Sequence, residues 1–292
     1  MAHDLHPRGI GAILDEAIAV IRANWRTLFA VTGIVVLPAA MAYSILSSFY
    51  TRALFEAFGT LMRSAGVGGA PAPPDPMVAV ISTVASAMGL VYWLARIYFA
   101  STLYAAAGPL VEGHPPAARQ MLRTGWHGFI PLLVVEVVVM MASYLAALVT
   151  LPFLGVGGAV VAVMLSMAGP IVVVEGDIGQ AFARSWRLVR PHFWRVLVLV
   201  VGAYLVAMQF ESALATPVVV REVVFGAQQQ SALTSQLAWG WKLFDGVLQG
   251  LAIAVVLPFM QLAVLLCYLD LRAREEGMDL IIRSRALLDT AR

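Results

Sequence analysis

The sequence predicts an all-α polytopic membrane protein, with six transmembrane helices and three interfacial amphipathic helices. Three observations carry the prediction. Of the 292 residues, 61% are hydrophobic and 12% charged, with a mean hydropathy of +0.85. A water-soluble domain of that length would have too little polar surface to cover itself. Long windows free of charge recur along the chain, and about twenty apolar residues of helix cross the hydrocarbon core. Finally, a mark of an apolar residue, arginine, tryptophan and a second basic residue stands before three of these runs: Ile21-Arg22-Ala23-Asn24-Trp25-Arg26, Leu122-Arg123-Thr124-Gly125-Trp126-His127 and Val189-Arg190-Pro191-His192-Phe193-Trp194-Arg195. An amphipathic ring beside a fixed positive charge suits the headgroup level of a bilayer.

The windows place spans at 27–51, 77–110, 129–149, 153–174, 196–216 and 246–269 within a single membrane domain, 1–292. Thr27–Thr51 is charge-free, and the second window carries Arg96 and a terminus signal at Gly108-Pro109. From Val137 to Val174 there is no charge at all, too long a stretch for one crossing, so the chain is expected to fold back at Thr150-Leu151-Pro152. Proline disfavours helix in the residue before it and lacks the amide proton that a helix interior uses. Pro217 is expected to end the fifth span and Pro258 to kink the sixth. Asp4, Asp15 and Glu16 interrupt the N-terminus, which lacks the pattern of a cleavable signal peptide, so the first span is expected in the mature protein.

Arginines fall mostly on one side of this scheme. Arg8, Arg22, Arg26, Arg119, Arg123, Arg184, Arg187, Arg190, Arg195, Arg272, Arg274, Arg283, Arg285 and Arg292 share it, against Arg52, Arg63, Arg221 and Lys242. The positive-inside rule then puts both termini in the cytoplasm. Before the marks, interfacial helices are expected at 9–25, 115–126 and 177–191. Ile10, Leu14, Ile18 (or Ala17), Ile21 and Trp25 form the apolar stripe of the first. Ile178, Phe182, Trp186 and Val189 form that of the third, with Asp177 placed to cap its first turn. These helices are expected to lie on the inner leaflet with the apolar face down. Arg22, Trp25, Arg26, Arg123, Trp126, Arg184, Arg187, Arg190, Trp194 and Arg195 are the candidate lipid-headgroup residues, arginine being able to grip phosphate in a forked geometry. One reading makes the marks anchors only. The other makes them the starts of three helix-plus-hairpin units of a threefold internal repeat.

Ionised side chains at membrane depth are costly, which singles out Arg96, Glu136 and Glu211. Arg96 lies about 20 Å along its helix from Leu110, and Glu136 about 10 Å into its own span. A pair between them, structural or part of a transport path, is expected, with Glu211 as the competing partner. Gly155-Val156-Gly157-Gly158 imitates half of a dinucleotide loop but has no preceding strand. Packing is its expected role, Gly155 with Ala159 and Gly158 with Ala162 giving small residues four apart. His3 and His6 have metal-like spacing at a terminus expected to fray. Cys267 is the single cysteine, which excludes an internal disulfide and the usual zinc sites. One lysine among nineteen basic residues and a net charge of +2 point away from nucleic acid. No catalytic cluster is visible, and neither metal nor cofactor is expected.

The segment Tyr268-Leu269-Asp270-Leu271-Arg272-Ala273-Arg274-Glu275-Glu276-Gly277-Met278-Asp279-Leu280 resembles the closing signature of the bacterial glycerophosphoryl diester phosphodiesterase membrane-domain family. Tyr268, Asp270, Arg272, Arg274, Glu276, Gly277 and Asp279 carry it. Ile13-Leu14-Asp15-Glu16-Ala17, Glu175-Gly176, Ser185-Trp186-Arg187-Leu188-Val189-Arg190 and Phe193-Trp194 resemble the family too, so the likeness covers nearly the whole chain. It implies a six-helix protein of the bacterial cytoplasmic membrane, in some members joined to a soluble phosphodiesterase domain. That domain's His-Arg-Gly opening is missing here, so the resemblance implies no phosphodiesterase activity for this chain. The expected function is that of a non-catalytic scaffold or accessory domain engaging lipid headgroups. Its expected partners are membrane lipids and an envelope or lipid-metabolism protein. The alternative is a small-molecule or lipid transporter using Arg96 and Glu136. Oligomeric state is not legible.

Overall fold

The computed structural model describes residues 9–47, 76–114, 116–225 and 233–276. Among them every regular element is helical: α1 Ile10–Val35, α2 Leu37–Ser47, α3 Pro76–Ala105, α4 Ala107–Val111, α5 Ala118–Val149, α6 Val156–Met164, α7 Ala168–Glu175, α8 Ile178–Val189, α9 Phe193–Phe225 and α10 Leu233–Glu276. Among the described residues six stretches are long and apolar enough to cross a membrane: Ile10–Val35, Thr83–Ala105, Ala118–Val149, Val156–Glu175, Ile178–Leu214 and Leu243–Glu275. The protein is an all-helical, multi-pass membrane protein.

Prolines explain where the helices depart from the expected spans. Pro38, Pro109 and Pro170 have no N–H for the carbonyl four residues earlier, and the helix is interrupted just upstream of each, at Val36, at Ala106 and over Leu165–Met167. The expected spans 27–51, 77–110 and 153–174 are therefore each two helical pieces where described; 48–51 lies outside the described residues. Pro152 opens the 3-10 turn Leu151–Phe153 that reverses the chain, followed by left-handed Leu154 and Gly155. By contrast, Pro131 and Pro258 lie inside unbroken α5 and α10, and α9 continues past Pro217 to Phe225. Helices in lipid tolerate proline where neighbouring groups take up the freed carbonyl.

The segments expected to be interfacial differ among themselves. At the first mark, Asn24 leaves helical geometry (φ −116°, ψ 18°) and kinks α1 without ending it. Its side-chain amide donates to the Val20 carbonyl at 2.9 Å and to the Leu110 carbonyl of α4 at 3.2 Å. At the third mark, the 3-10 turn Arg190–His192 separates α8 from α9. The second has no such break. The expected helix 115–126 and span 129–149 form one rod, α5, because nothing between Trp126 and Phe129 forbids helical geometry.

The chain divides into two compact units: Met1–Thr32, Ile97–Met208 and Val256–Arg292 make one, Gly33–Arg96 and Gln209–Val255 the other. In the first, side chains of α3 cap carbonyls of α5. Tyr98 donates to Leu122 O at 2.7 Å and Ser101 to Gly125 O at 2.6 Å. The two backbones meet where Gly125 and Gly128 lie against Thr102 and Ser101, close approach through small residues being the usual packing device in lipid. The α5–α6 hairpin closes the same way, Gly157 against Thr150 and Gly158 against Ala147. Gly155 also packs against Ala147, whose carbonyl oxygen would lie 3.5 Å from a Cβ there. It takes φ +68°, which suits glycine, at the turn into α6. In the second unit, Tyr43 of α2 stacks on Tyr92 of α3 at 5.5 Å, while Gly246 and Gly250 of α10 receive Ile45 and Met41 of α2.

Candidate functional site

Helix α7 ends on an acidic residue, Glu175, where the dipole of a helix disfavours negative charge. Gly176 at φ +79° turns the chain, and Asp177 caps α8 by accepting from the Gln180 N–H at 3.1 Å. The Glu175 carboxylate is compensated from two directions. Arg184, two turns into α8, donates Nη1 to Oε2 at 3.0 Å, and the hydroxyl of fully buried Tyr268 donates to Oε1. Arg272, one turn beyond Tyr268 on α10, lies 3.8 Å from Oε1 and donates to the Tyr268 hydroxyl at 3.3 Å. One carboxylate thus gathers α7, α8 and α10.

A second cluster adjoins it in sequence. Asp270, whose side chain is 3% exposed, accepts from Arg195 of α9 and from Arg274 one turn along α10, both at 2.9 Å. His192 Nε2 lies 3.0 Å from Glu275 Oε1. Spacing of four along α10 sets Tyr268 and Arg272 on one face and Asp270 and Arg274 on another, so a single helix supplies partners to both carboxylate networks. Beside the first network is a cleft of about 440 Å³ lined by Ile171, Val174, Glu175, Asp177, Gln180, Arg184 and Arg272. Its walls are mostly polar and come from the ends of helices, with Val174 of α7 as the exposed apolar residue among them. Two guanidiniums, two carboxylates and one amide face it, a set able to hold groups of both charges.

The residues nominated from sequence are split into two groups. Arg184, Arg195, Tyr268, Asp270, Arg272 and Arg274 form the internal networks. Arg22, Trp25, Arg26, Arg123, Trp126, Arg187, Arg190 and Trp194 are exposed on the protein surface. Arg26 sits 5.4 Å over the Trp25 ring, and Trp126 joins Tyr98 and Phe129 in an aromatic cluster. The apolar stripes of α1 and α8 hold a further surprise. Ile18, Trp25, Ile178 and Trp186 remain exposed, while a neighbouring face of each helix, with Ile13, Ala17 and Val20 or Ala181, Ser185 and Leu188, packs into the protein. Val189, assigned to the outward stripe, belongs to the packed face.

Arg96 is exposed and lies 5.9 Å from the centre of the Tyr92 ring. Glu211 on α9 is exposed. Glu136, half-buried on α5, lies beside Gly169 of α7. Of the closing signature, Gly277 and Asp279 lie outside the described residues, as do His3 and His6, and Glu276 is described only as the last residue of α10. Among the described residues no group of three or more His, Cys, Asp or Glu is placed to hold a metal ion.

What the sequence reading missed is the part played by Glu175 and the cleft beside it. The available signal was an acidic residue closing an apolar run, with a glycine and a capping aspartate directly after it. Comparison with protein-family models, with curated proteins and with solved structures finds no match.

Proposed function

We propose that the chain is a non-catalytic accessory domain of the bacterial cytoplasmic membrane, with both termini in the cytoplasm. It engages anionic lipid headgroups through its arginine and tryptophan collar and organises a lipid- or envelope-related partner. Membership of the glycerophosphoryl diester phosphodiesterase membrane-domain family is part of this proposal. The observation that carries it is the exposure of Arg22, Arg26, Arg123, Arg187 and Arg190 together with Trp25, Trp126, Trp186 and Trp194. Neighbouring Arg184 and Arg195 pair with carboxylates and do not belong to this open surface. An arginine near an anionic membrane surface contributes about 1 kcal/mol, and the rings add interfacial anchorage.

Replacing Arg22, Arg123, Arg187 and Arg190 together with glutamine is expected to weaken retention of phosphatidylglycerol by at least about tenfold. The measurement is lipid co-purification and titration of the detergent-solubilised protein. Unchanged retention would refute the collar as a headgroup site.

A transport reading centres on Glu136, a carboxylate lying just past the midpoint of the apolar helix α5. If transport is the function, Glu136→Gln abolishes flux in reconstituted vesicles at unchanged expression. An accessory domain shows only altered stability or assembly.

A further inference from the structure

The collar and the cleft differ in charge. Arg22, Arg26, Arg123, Arg187 and Arg190 are cations on open surface, a chemistry that gathers any anionic headgroup. The cleft lined by Glu175, Asp177, Gln180, Arg184 and Arg272 carries two positive and two negative side chains, and its formal charge is zero. A net anion entering it gains from the arginines and is opposed by the carboxylates. A group with separated positive and negative ends gains from both.

We infer that this cleft binds the headgroup of a zwitterionic phospholipid bearing a primary ammonium, a phosphoethanolamine group, with the phosphate toward Arg184 and Arg272 and the ammonium toward Asp177 and Glu175. Four features fit that occupant. The volume of about 440 Å³ exceeds what a lone ion needs and lies in the range of small-molecule sites. The cleft stands where two membrane-crossing stretches end: Val156–Glu175 closes on Glu175, and Arg272 is one turn from the end of Leu243–Glu275. Val174 is an exposed apolar residue on the wall, so an acyl chain attached to the headgroup meets an apolar side chain where it leaves the cleft. The carboxylates are held in place, Asp177 by capping α8 and Glu175 by Arg184 and Tyr268, and are thereby preorganised for an ammonium donor. The inference rests on the reading that these helix ends lie at headgroup level, but not on the collar.

The test is binding of short-chain phosphatidylethanolamine, phosphatidylcholine and phosphatidylglycerol to the full chain in detergent, followed by tryptophan fluorescence and native mass spectrometry. Phosphatidylethanolamine is expected to bind about tenfold more tightly than the other two, since choline has no N–H to donate and glycerol no charge to pair. Asp177→Asn keeps a good helix cap and removes one negative charge. It is expected to erase most of the preference for ethanolamine over choline while circular dichroism stays unchanged. The collar variant should keep the full preference. That separates failure of the collar proposal from failure of this one. Equal binding of the three lipids by the wild type, or an undiminished preference in Asp177→Asn, overturns the inference.

Discussion

Glu175→Ala is expected to destabilise the protein by about 3 kcal/mol, the low end of the cost of breaking a buried ion pair. The substitution removes the acceptor of the Tyr268 hydroxyl and the counter-charge of Arg184 and Arg272. The side chain of Glu175 is 14% exposed and those of Arg184 and Arg272 are 22% and 26% exposed. Water screens the remaining charges only in part, so the loss exceeds that of a surface salt bridge, worth about 0–1 kcal/mol. Thermal unfolding in detergent, followed by circular dichroism, measures it. Adding Arg184→Ala to Glu175→Ala should recover part of the loss, because the uncompensated cation goes as well. A single variant as stable as the wild type would mean that the three helices hold together without this carboxylate.

A larger side chain at Gly125 should be nearly as damaging, for a steric reason. A Cβ there would lie 2.3 Å from Thr102 Cγ2 and 2.7 Å from Thr102 Cα. The second atom is backbone, so no rotamer change relieves the clash and α3 must move away from α5. The bonds of Tyr98 to Leu122 O and of Ser101 to Gly125 O lengthen with it. Gly125→Ala is expected to cost about 2–3 kcal/mol, the upper range of overpacking. Gly202 on α9 supplies the control, since nothing lies within 4 Å of its Cβ position. Gly202→Ala should be neutral or stabilise by up to about 1 kcal/mol through helix propensity. Equal melting temperatures for the two variants would contradict the packing described for α3 and α5.

Much of the candidate site was within reach of the sequence. Tyr268, Asp270, Arg272 and Arg274 stood out as a closing signature, Glu175 and Gly176 as a short motif and Asp177 as a cap. Nothing in the linear order reveals that Tyr268 donates to a carboxylate 93 residues earlier, because such a contact depends on how α7, α8 and α10 are packed. The same limit applied to the arginines. Arg184 and Arg187 look alike in sequence, three residues apart on one amphipathic helix. Yet Arg184 turns to Glu175 while Arg187 is exposed. Prolines misled in a related way: Pro217 was expected to end the fifth span, yet α9 continues to Phe225, while Pro38 and Pro170, to which the sequence reading gave no role, each follow an interruption of the helix.

Composition and charge spacing alone determined that this chain is helical and multi-pass, since apolar runs lacking charge are stable only where lipid replaces water and where each backbone group is bonded within its own helix. Local chemistry also determined the reversal at Pro152 and the cap at Asp177. Only the tertiary structure decided which faces of α1 and α8 are packed, which arginines are internal and that Glu175 joins three helices. The reason is that hydrophobic patterning is a property of one helix at a time, whereas a shared carboxylate or a glycine contact exists only once several helices have been placed together.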